Sequence, residues 1–450
     1  TFATGWLYAG LGYTTAFDAA VPPLLARHAV QEFCDTPVID KGFFALLGNN
    51  RFVLEQIAAG ERHLVVDFMA WLLQAVKAYA PKLVNPGGVE QWKSGAGDCR
   101  RLDDPVAPFG VTPRQILVSL AEAAQRLRLP HPVHVHCNNL GRPGNWSTTL
   151  ETFRALDGLR AHITHIQFHS YGGDPDDPAS IRSEVPRLVE YVASHPDLTV
   201  DVGQVLFGKT VAMTGDGPLG DFLHHVTGKT WFNADVELEA GCGVLPIEYR
   251  DRRLLHGLQW AIGLEWYLLM DDPWRIALTT DHPNGASFLA YPEVIALLMD
   301  RSRRQETLRR LPAAIRERSV LGDLNREYSL YEVAIITRAA PARILGLDRK
   351  GHLGVGADAD VTIYEPHDDV RTMFEHPRYV LCRGELVLDD GQRRTASPGR
   401  LFHVVPEHDD VALSSIRRWF HENSTVRWAN YPLRTDEFLQ VAFAPCKPVE

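Results

Sequence analysis

The sequence predicts an α/β protein built on a (β/α)8 barrel, followed by a smaller β layer. Strand-like runs alternate with longer helical patterns, and the runs are residues 13–20, 42–49, 81–88, 132–138, 162–173, 198–207 and 274–285. Strands that alternate with helices imply parallel βαβ units. Polar residues cluster at the carboxyl ends of these runs, which is the functional face of such a barrel. The pattern therefore gives seven β/α units, with room for an eighth upstream.

The order of elements begins with a helical pattern, a glycine turn and the strand "YTTAFDAA". Helices are predicted at residues 52–79, 113–127 and 183–195, between later strands. Because a domain rarely starts so abruptly and residue 1 is a threonine, we expect sequence ahead of Thr1. By the strand count of the barrel, its first strand is expected to lie in that missing part.

The chain divides into three predicted segments, and the first of them carries an insertion. The insertion at 214–246 is long enough to carry its own short strand and to cover the functional face as a lid. Residues 1–345 are predicted to be the barrel, and 346–400, with glycine turns and alternating apolar residues, a small β layer appended to it. Residues 401–450 are rich in aromatics and arginine. They form either a tail that packs on its own barrel or a subunit interface, since these residue types are enriched at interfaces.

Composition excludes several classes of protein. The formal net charge of -10 argues against a nucleic-acid surface, which needs clustered positive charge. No apolar run is long enough to span a bilayer, and no signal peptide is evident. The six cysteines are scattered, so neither a disulfide framework nor a structural zinc knuckle is indicated. A cytoplasmic, small-molecule enzyme fits these features.

The run "PVHVHCNNLG" is the first sign of chemistry. His134 and His136 are two residues apart and so share one face of a strand. A single histidine in such a run is more often a core residue than a ligand. The pair gains meaning because "HITHIQFHSYGG" places His165, Gln167 and His169 on one face of the next strand.

Two carboxylates and a lysine join these histidines. Asp201 lies in the strand "VDVGQ", and Asp281 ends the apolar run "RIALTT", where an unpaired carboxylate is costly unless it binds a metal. Imidazole and carboxylate are preferred zinc ligands, so the cluster predicts a zinc-type site at the barrel mouth. Lys82 lies near the start of a buried strand; it either reaches to water or serves the same site.

These residues carry a resemblance to the amidohydrolase superfamily, metal-dependent hydrolases on a (β/α)8 barrel with a β-sandwich flank. More narrowly, the chain resembles the A-subunit family of the bacterial formyltransferase/hydrolase complex and of archaeal formylmethanofuran dehydrogenase. The motifs that carry the resemblance are "KLVNPGG", "HVHCNNLG", "THIQFHSYGG", "NADVELE", "TTDHPNG" and "GHLGVGADADVTIY". It extends from Thr1 to about Leu386.

The resemblance implies a metal site and a catalytic residue. Lys82 matches the bridging lysine, which is commonly carboxylated, His134 the fifth-strand ligand, and His165 the sixth-strand ligand. Asp281 matches the eighth-strand aspartate that binds metal and transfers the proton. The cofactor is then zinc, as one or two ions. The resemblance makes residues 346–400 part of the flanking β-sandwich. It also implies that about ninety residues, which would hold the family's first strand and half of the sandwich, are missing. The His-x-His pair of that first strand does not precede "YTTAFDAA", so these residues alone do not complete a two-metal centre.

The same resemblance implies a substrate pocket and partners. The predicted pocket residues are His136, Asn138, Asn139, His169 and Asp235. Of these, the two histidines share a strand face with the chosen ligands and could exchange roles with them. The substrate would be a formylated methanofuran-type carrier, and the partners the other subunits of a hetero-oligomeric complex of one-carbon metabolism.

The function implied is zinc-dependent hydrolysis of an N-formyl amide to formate and free amine. One alternative is the A subunit of a formylmethanofuran dehydrogenase, which condenses formate with the amine in the same pocket. A second is a non-catalytic scaffold subunit. The buried polar ligands argue against it, because a scaffold has no physical reason to keep groups that cost stability. Hydrolysis of a cyclic amide is a weaker option.

Overall fold

The computed structural model describes residues 1–394 and 397–447. In chain order, the strands of this part are β1 (Thr15–Val21), β2 (Asp40–Leu46), β3 (Ala80–Val84), β4 (Val133–His136), β5 (Ala161–Ile163), β6 (Tyr171–Gly172), β7 (Arg182–Ser183), β8 (Leu198–Asp201), β9 (Gly208–Thr214), β10 (Phe232–Val236), β11 (Glu239–Tyr249), β12 (Ile276–Ala277), β13 (Val361–Ile363), β14 (Tyr379–Cys382), β15 (Glu385–Asp389), β16 (Gln392–Arg393), β17 (Arg400–Val404) and β18 (Ala442–Cys446).

The core is a parallel sheet in which β1, β2, β3, β4, β5, β8 and β12 lie side by side in that order. Strands β2, β3 and β4 are buried along their whole length. Parallel strands covered on both faces need nearly continuous apolar sequence, which is why these runs were evident in the sequence. The predicted fold class, an α/β barrel of the (β/α)8 type, is confirmed.

The helices of the described residues cover this sheet or belong to the insertion and the C-terminal part. They are α1 (Phe2–Gly10), α2 (Ala26–Cys34), α3 (Arg51–Ala58), α4 (Arg62–Val76), α5 (Gly88–Lys93), α6 (Pro113–Arg126), α7 (Trp146–Ala155), α8 (Val185–Ser194), α9 (Gly217–Thr227), α10 (Leu254–Leu269), α11 (Tyr291–Met299), α12 (Arg301–Arg310), α13 (Ala314–Arg318), α14 (Leu330–Ala334), α15 (Ala340–Leu345), α16 (Val370–Glu375) and α17 (Asp410–Asn423). A π-helical turn at Ile335–Ala339 joins α14 to α15.

Helix α6 shows how local sequence sets these boundaries. Thr112 and Gln115 form a capping box, in which each side chain accepts a hydrogen bond from the other residue's backbone N–H. Pro113 occupies the first turn, where its missing N–H costs nothing. The helix then buries an apolar face that includes Ile116 and Leu120 against the core.

The predicted insertion is longer than the sequence suggested. It extends from Gly208 to Tyr249 and holds α9 and a three-stranded antiparallel sheet in the order β10, β11, β9. The predicted range of 214–246 stopped short because β9 and the end of β11 pair as far as Gly208 and Tyr249. Tyr249 packs with Phe168 and Val205, which follow β5 and β8. The insertion therefore lies on the carboxyl-end side of the barrel.

The C-terminal part contributes to two sheets. Strands β13, β14, β15 and β16 form a small antiparallel sheet, and α1 packs against it. Strand β17 instead joins the central sheet, where Leu401 pairs with Lys41 of β2, and β18 extends it. Helix α17 packs on α4, and Trp428 stacks on Trp71 with ring centroids 3.4 Å apart. The tail thus packs on its own barrel, while the division into domains and a role as a subunit interface stay predictions.

Within the part of the chain that the structure describes, no helix is long and apolar enough to cross a membrane. All six cysteines lie in this part, and none is paired in a disulfide.

Candidate active site

The strand register brings Lys82, His134 and His162 side by side. Lys82 of β3 is the register partner of His134 in β4, and His134 is the partner of His162 in β5. Register partners in a sheet project to the same face, and all three side chains are buried. One lysine and two imidazoles therefore form a row inside the barrel.

We call His131, His134, His162 and Asp201 the deep histidine group. His131 Nδ1 lies 2.9 Å from the carbonyl oxygen of Ile344, and His131 Nε2 lies 3.0 Å from His134 Nδ1. His162 Nε2 lies 3.0 Å from Asp201 Oδ2. One ligand atom from each of His134, His162 and Asp201 lies within 4.8 Å of the other two. This trio has the residue types and the spacing of a metal site.

Burial keeps the imidazoles of His131 and His134 neutral. It lowers the pKa of His131 to about 3 and the pKa of His134 well below its usual value. Burial alone would raise the pKa of Asp201, but hydrogen bonds from His162 and Thr279 hold that pKa below its usual value. Neutral imidazole and ionised carboxylate are the forms that bind metal ions.

A second cluster, the mouth histidine group, consists of His136, His165 and His169. The ring of His136 lies edge-on to that of His165, with centroids 4.7 Å apart, and His169 lies 5.3 Å from each. All three are buried, and burial lowers the pKa of each below its usual value. His136 is the last residue of β4, and His165 and His169 lie before and at the end of the 3-10 turn that follows β5, so the group lies at the carboxyl ends of the strands.

Gly203 allows His165 and Asp281 to approach each other. A Cβ atom placed on Gly203 would lie 2.5 Å from Cβ of His165 and 3.2 Å from Cβ of Asp281. Gly203 also has a φ of +68°, which favours glycine. His165 and Asp281 have positive φ themselves, 38° and 49°, and such strain in non-glycine residues is concentrated at functional sites.

Several polar atoms of the two histidine groups and of Asn138 are buried without a hydrogen-bond partner among the described residues. They are His134 Nε2, His165 Nδ1, both ring nitrogens of His169, and Asn138 Oδ1. An unpaired buried polar atom costs about 1–3 kcal/mol, and native structures contain few of them. Since these atoms are clustered and three of the four residues are neutral histidines, the site fits a bound metal ion and a polar substrate.

Lys82 and Asp281 both have displaced pKa values. Burial lowers the pKa of Lys82 to about 8, although the carboxylates of Asp201 and Asp281 oppose that change. Burial, aided by repulsion from Asp201, raises the pKa of Asp281 to about 8, against the hydrogen bond from Asn284. Burial thus displaces the pKa values of both groups in the direction of the neutral form.

The three remaining predicted pocket residues lie at different depths. Asn138 is buried, and its Nδ2 donates to Asn85 Oδ1 at 2.8 Å. Asn139 is half-buried and donates to Thr148 Oγ1 at 3.2 Å. Asp235 is exposed on β10 and forms an ion pair with Lys93 at 2.7 Å, rather than with any histidine. The place of Asp235 in a substrate pocket stays a prediction.

Sequence reasoning missed His131, His162 and Asp216. His162 belongs to a run that the sequence did single out, but it is three residues from His165, a spacing that places two residues on opposite faces of a strand. The strand in fact ends at Ile163, and the left-handed conformation of His165 turns the chain. The register of His162 with His134 is the signal that could have revealed it.

Comparisons with known proteins agree with this geometry. A family model described as "Amidohydrolase family" matches residues 1–388. The chain is 43% identical to Protein FwdA of Methanocaldococcus jannaschii, over 97% of this chain and 80% of that protein. It is 41% identical to the A component of the formyltransferase/hydrolase complex Fhc of Methylorubrum extorquens, over 89% of this chain and 74% of that protein. The crystal structure of the FhcABCD complex from that bacterium, with methylofuran, contains a chain that matches with a TM-score of 0.94 and 36% identity, covering 99% of this chain and 82% of that one.

Proposed function

Because the chain belongs to the amidohydrolase family, we propose that it hydrolyses an N-formyl amide to formate and the free amine. The observation that supports this most is the cluster of buried, unpartnered histidine nitrogens at the carboxyl ends of the strands, beside Lys82 and Asp281. The formyl group is the smallest acyl group. It suits a site where three imidazole rings lie with centroids within 5.3 Å of one another.

We propose that Lys82, His134, His165 and Asp281 hold zinc, as one or two ions. Of these residues, only His134 also belongs to the trio whose ligand atoms have the spacing of a metal site. The unpartnered nitrogens of the two histidines support this set, and His136 is the alternative ligand because its ring lies against His165. Bound zinc supplies water with a pKa of about 7 and polarises a carbonyl group. The lowered pKa of Lys82 increases its neutral fraction, which is the form that carboxylation requires.

The residues of the chain divide the remaining work. Asp281 accepts the proton of the attacking water and delivers it to the amine nitrogen as the carbon–nitrogen bond breaks. Asn138 Oδ1, buried without a partner, accepts a hydrogen bond from the N–H of the formamide. His136 and His169 enclose the formyl carbon and exclude bulk water.

The amine and the partners follow from the relatives. Likeness to the A component of Fhc, and to a chain of a complex that contains methylofuran, supports a methanofuran-type carrier as the amine. The same likeness supports the other subunits of a hetero-oligomeric formyltransferase/hydrolase complex as partners.

The reverse reaction is the second candidate. A pocket that transfers a proton to the amine also removes it, so the A subunit of a formylmethanofuran dehydrogenase would use the same residues to condense formate with the amine. A scaffold without activity is disfavoured because it would bear the cost of several unpaired buried polar atoms without any ligand.

Formate release from N-formylfurfurylamine by the purified complex tests the proposal. The Asp281→Asn variant keeps the size of the side chain but loses the proton acceptor, and we expect its rate to fall by about 10²–10⁴-fold. Asp271→Asn is the matched control, because Asp271 is fully exposed and forms a weak surface pair with Arg326, with the charged atoms 3.9 Å apart. An Asp281→Asn variant that releases formate as fast as the control would refute the assignment.

A further inference from the structure

Asp216 is a buried carboxylate that links the insertion to the barrel mouth. It is 2% exposed and lies at the start of α9. Its Oδ1 accepts a hydrogen bond from Asn85 Nδ2 at 3.0 Å, and its Oδ2 accepts one from His136 Nε2 at 3.2 Å. Both oxygens of a residue carried by the insertion are therefore bonded to residues of the barrel mouth.

This arrangement is unusual for an aspartate at the N-cap of a helix. An aspartate at a helix N-cap normally accepts a hydrogen bond from the backbone N–H groups of the first turn. Asp216 is the N-cap residue of α9 but makes no side-chain cap. The helix gives up that stabilisation, and the carboxylate instead contacts His136 and Asn85.

Asp216 is one of several contacts between the insertion and the barrel. Arg51 donates its backbone N–H to the carbonyl of Leu238 at 2.6 Å, and Met213 donates to Asn284 Oδ1 at 2.6 Å. The apolar contacts of Tyr249 add a third attachment. Since these contacts also hold the insertion, a purely structural role does not explain why a carboxylate is buried here, where its desolvation is costly.

The contacts of Asp216 also determine the state of His136. A carboxylate only accepts hydrogen bonds, so His136 carries its hydrogen on Nε2 and offers Nδ1 as an acceptor. Asn85 in turn accepts from Asn138, which connects Asp216 to a second pocket residue. Partners of this kind that orient a site histidine typically affect activity by about 10–100-fold.

We propose that Asp216 is a positioning residue, which fixes the tautomer and the orientation of His136 at the barrel mouth. It couples the seating of the insertion to the geometry of the pocket. Its kinetic consequence rests on the proposed function, whereas its effect on His136 does not.

The test compares Asp216→Asn with Asp221→Asn in the purified complex. Asp221 is the matched control, because it lies on the same helix and is half-exposed, with only His225 as a partner at 3.5 Å. Ring-¹⁵N histidine spectra, with the His136 signal assigned by a His136→Asn variant, report the tautomer. Turnover of N-formylfurfurylamine gives kcat and KM.

In wild type and in Asp221→Asn we expect His136 to carry its hydrogen on Nε2. In Asp216→Asn we expect that preference to be lost, with kcat lower by about 10–100-fold and KM changed by less than about threefold. An unchanged tautomer in Asp216→Asn overturns the proposal, as does a change in KM alone. If wild type releases no formate, the proposed function fails, and the tautomer by itself decides the role of Asp216.

Discussion

Asp40 allows a quantitative prediction about how the barrel is joined to the C-terminal part. Its carboxylate is fully buried at the start of β2 and contacts three cations, Arg383 at 2.7 Å, Arg400 at 2.6 Å and Lys350 at 2.9 Å. Burial alone would raise the pKa of Asp40, but the hydrogen bonds from Arg400 and the charge of Lys350 lower it from 3.8 to about 2. A change of that size stabilises the folded protein by about 2.5 kcal/mol when the group is ionised.

We therefore expect Asp40→Asn to lower the free energy of unfolding by about 3 kcal/mol at pH 7, since it also leaves buried cations with fewer partners. The folded pKa is below the unfolded one, so this stabilisation is present above about pH 4 and is lost as the pH falls towards 2. The difference between wild type and variant should be constant from about pH 8 to 5 and shrink below about pH 4.

Pulse proteolysis in urea at a series of pH values measures this difference. Asp390→Asn is the matched control. Asp390 follows β15 of the C-terminal sheet and also pairs with an arginine, Arg378, but it is exposed. Solvent screens such a pair, so the control should be close to wild type. An Asp40→Asn variant as stable as the control, or a difference that does not shrink in acid, would refute the reasoning.

Three further predictions concern other buried groups. Burial raises the pKa of Glu265 to about 7, so the wild type should lose about 3 kcal/mol of stability relative to Glu265→Gln as the pH rises from 4.5 to 7. Urea unfolding of the two proteins across that range measures the loss, and parallel curves of stability against pH would contradict the prediction. Trp428→Ala removes the ring stacked on Trp71 and should destabilise the tail by about 3–5 kcal/mol, seen as faster hydrogen exchange in α17; unchanged exchange would contradict the packing. Lys82→Ala should lower the zinc content of the purified complex, and a full complement of zinc would remove Lys82 from the ligand set.

The sequence was sufficient for features that depend on neighbouring residues. The barrel strands were predictable because buried parallel strands need apolar runs, and the polar residues at their ends marked the functional face. His136 was placed near the predicted ligand His165 for the same reason. His169 also lies near His165, but in a 3-10 turn beyond the end of β5 and not on a shared strand face as predicted.

The remaining features depend on contacts between residues far apart in the chain. Asp216 lies 80 residues from His136, and the sequence of the insertion alone does not indicate that its helix N-cap turns to the barrel. His162 was hidden because β5 ends earlier than its sequence pattern suggests. The position of β17 beside β2 could not be foreseen either, since it rests on a pairing of Leu401 with Lys41.

The central claim, that the barrel mouth is a metal-dependent reaction site, is tested most directly by anomalous diffraction at the zinc edge from crystals of the purified complex. We predict an anomalous peak within contact of the side chains that would hold zinc, which are Lys82, His134, His165 and Asp281. A map with no peak at these side chains, from crystals of a complex that releases formate, would contradict the account.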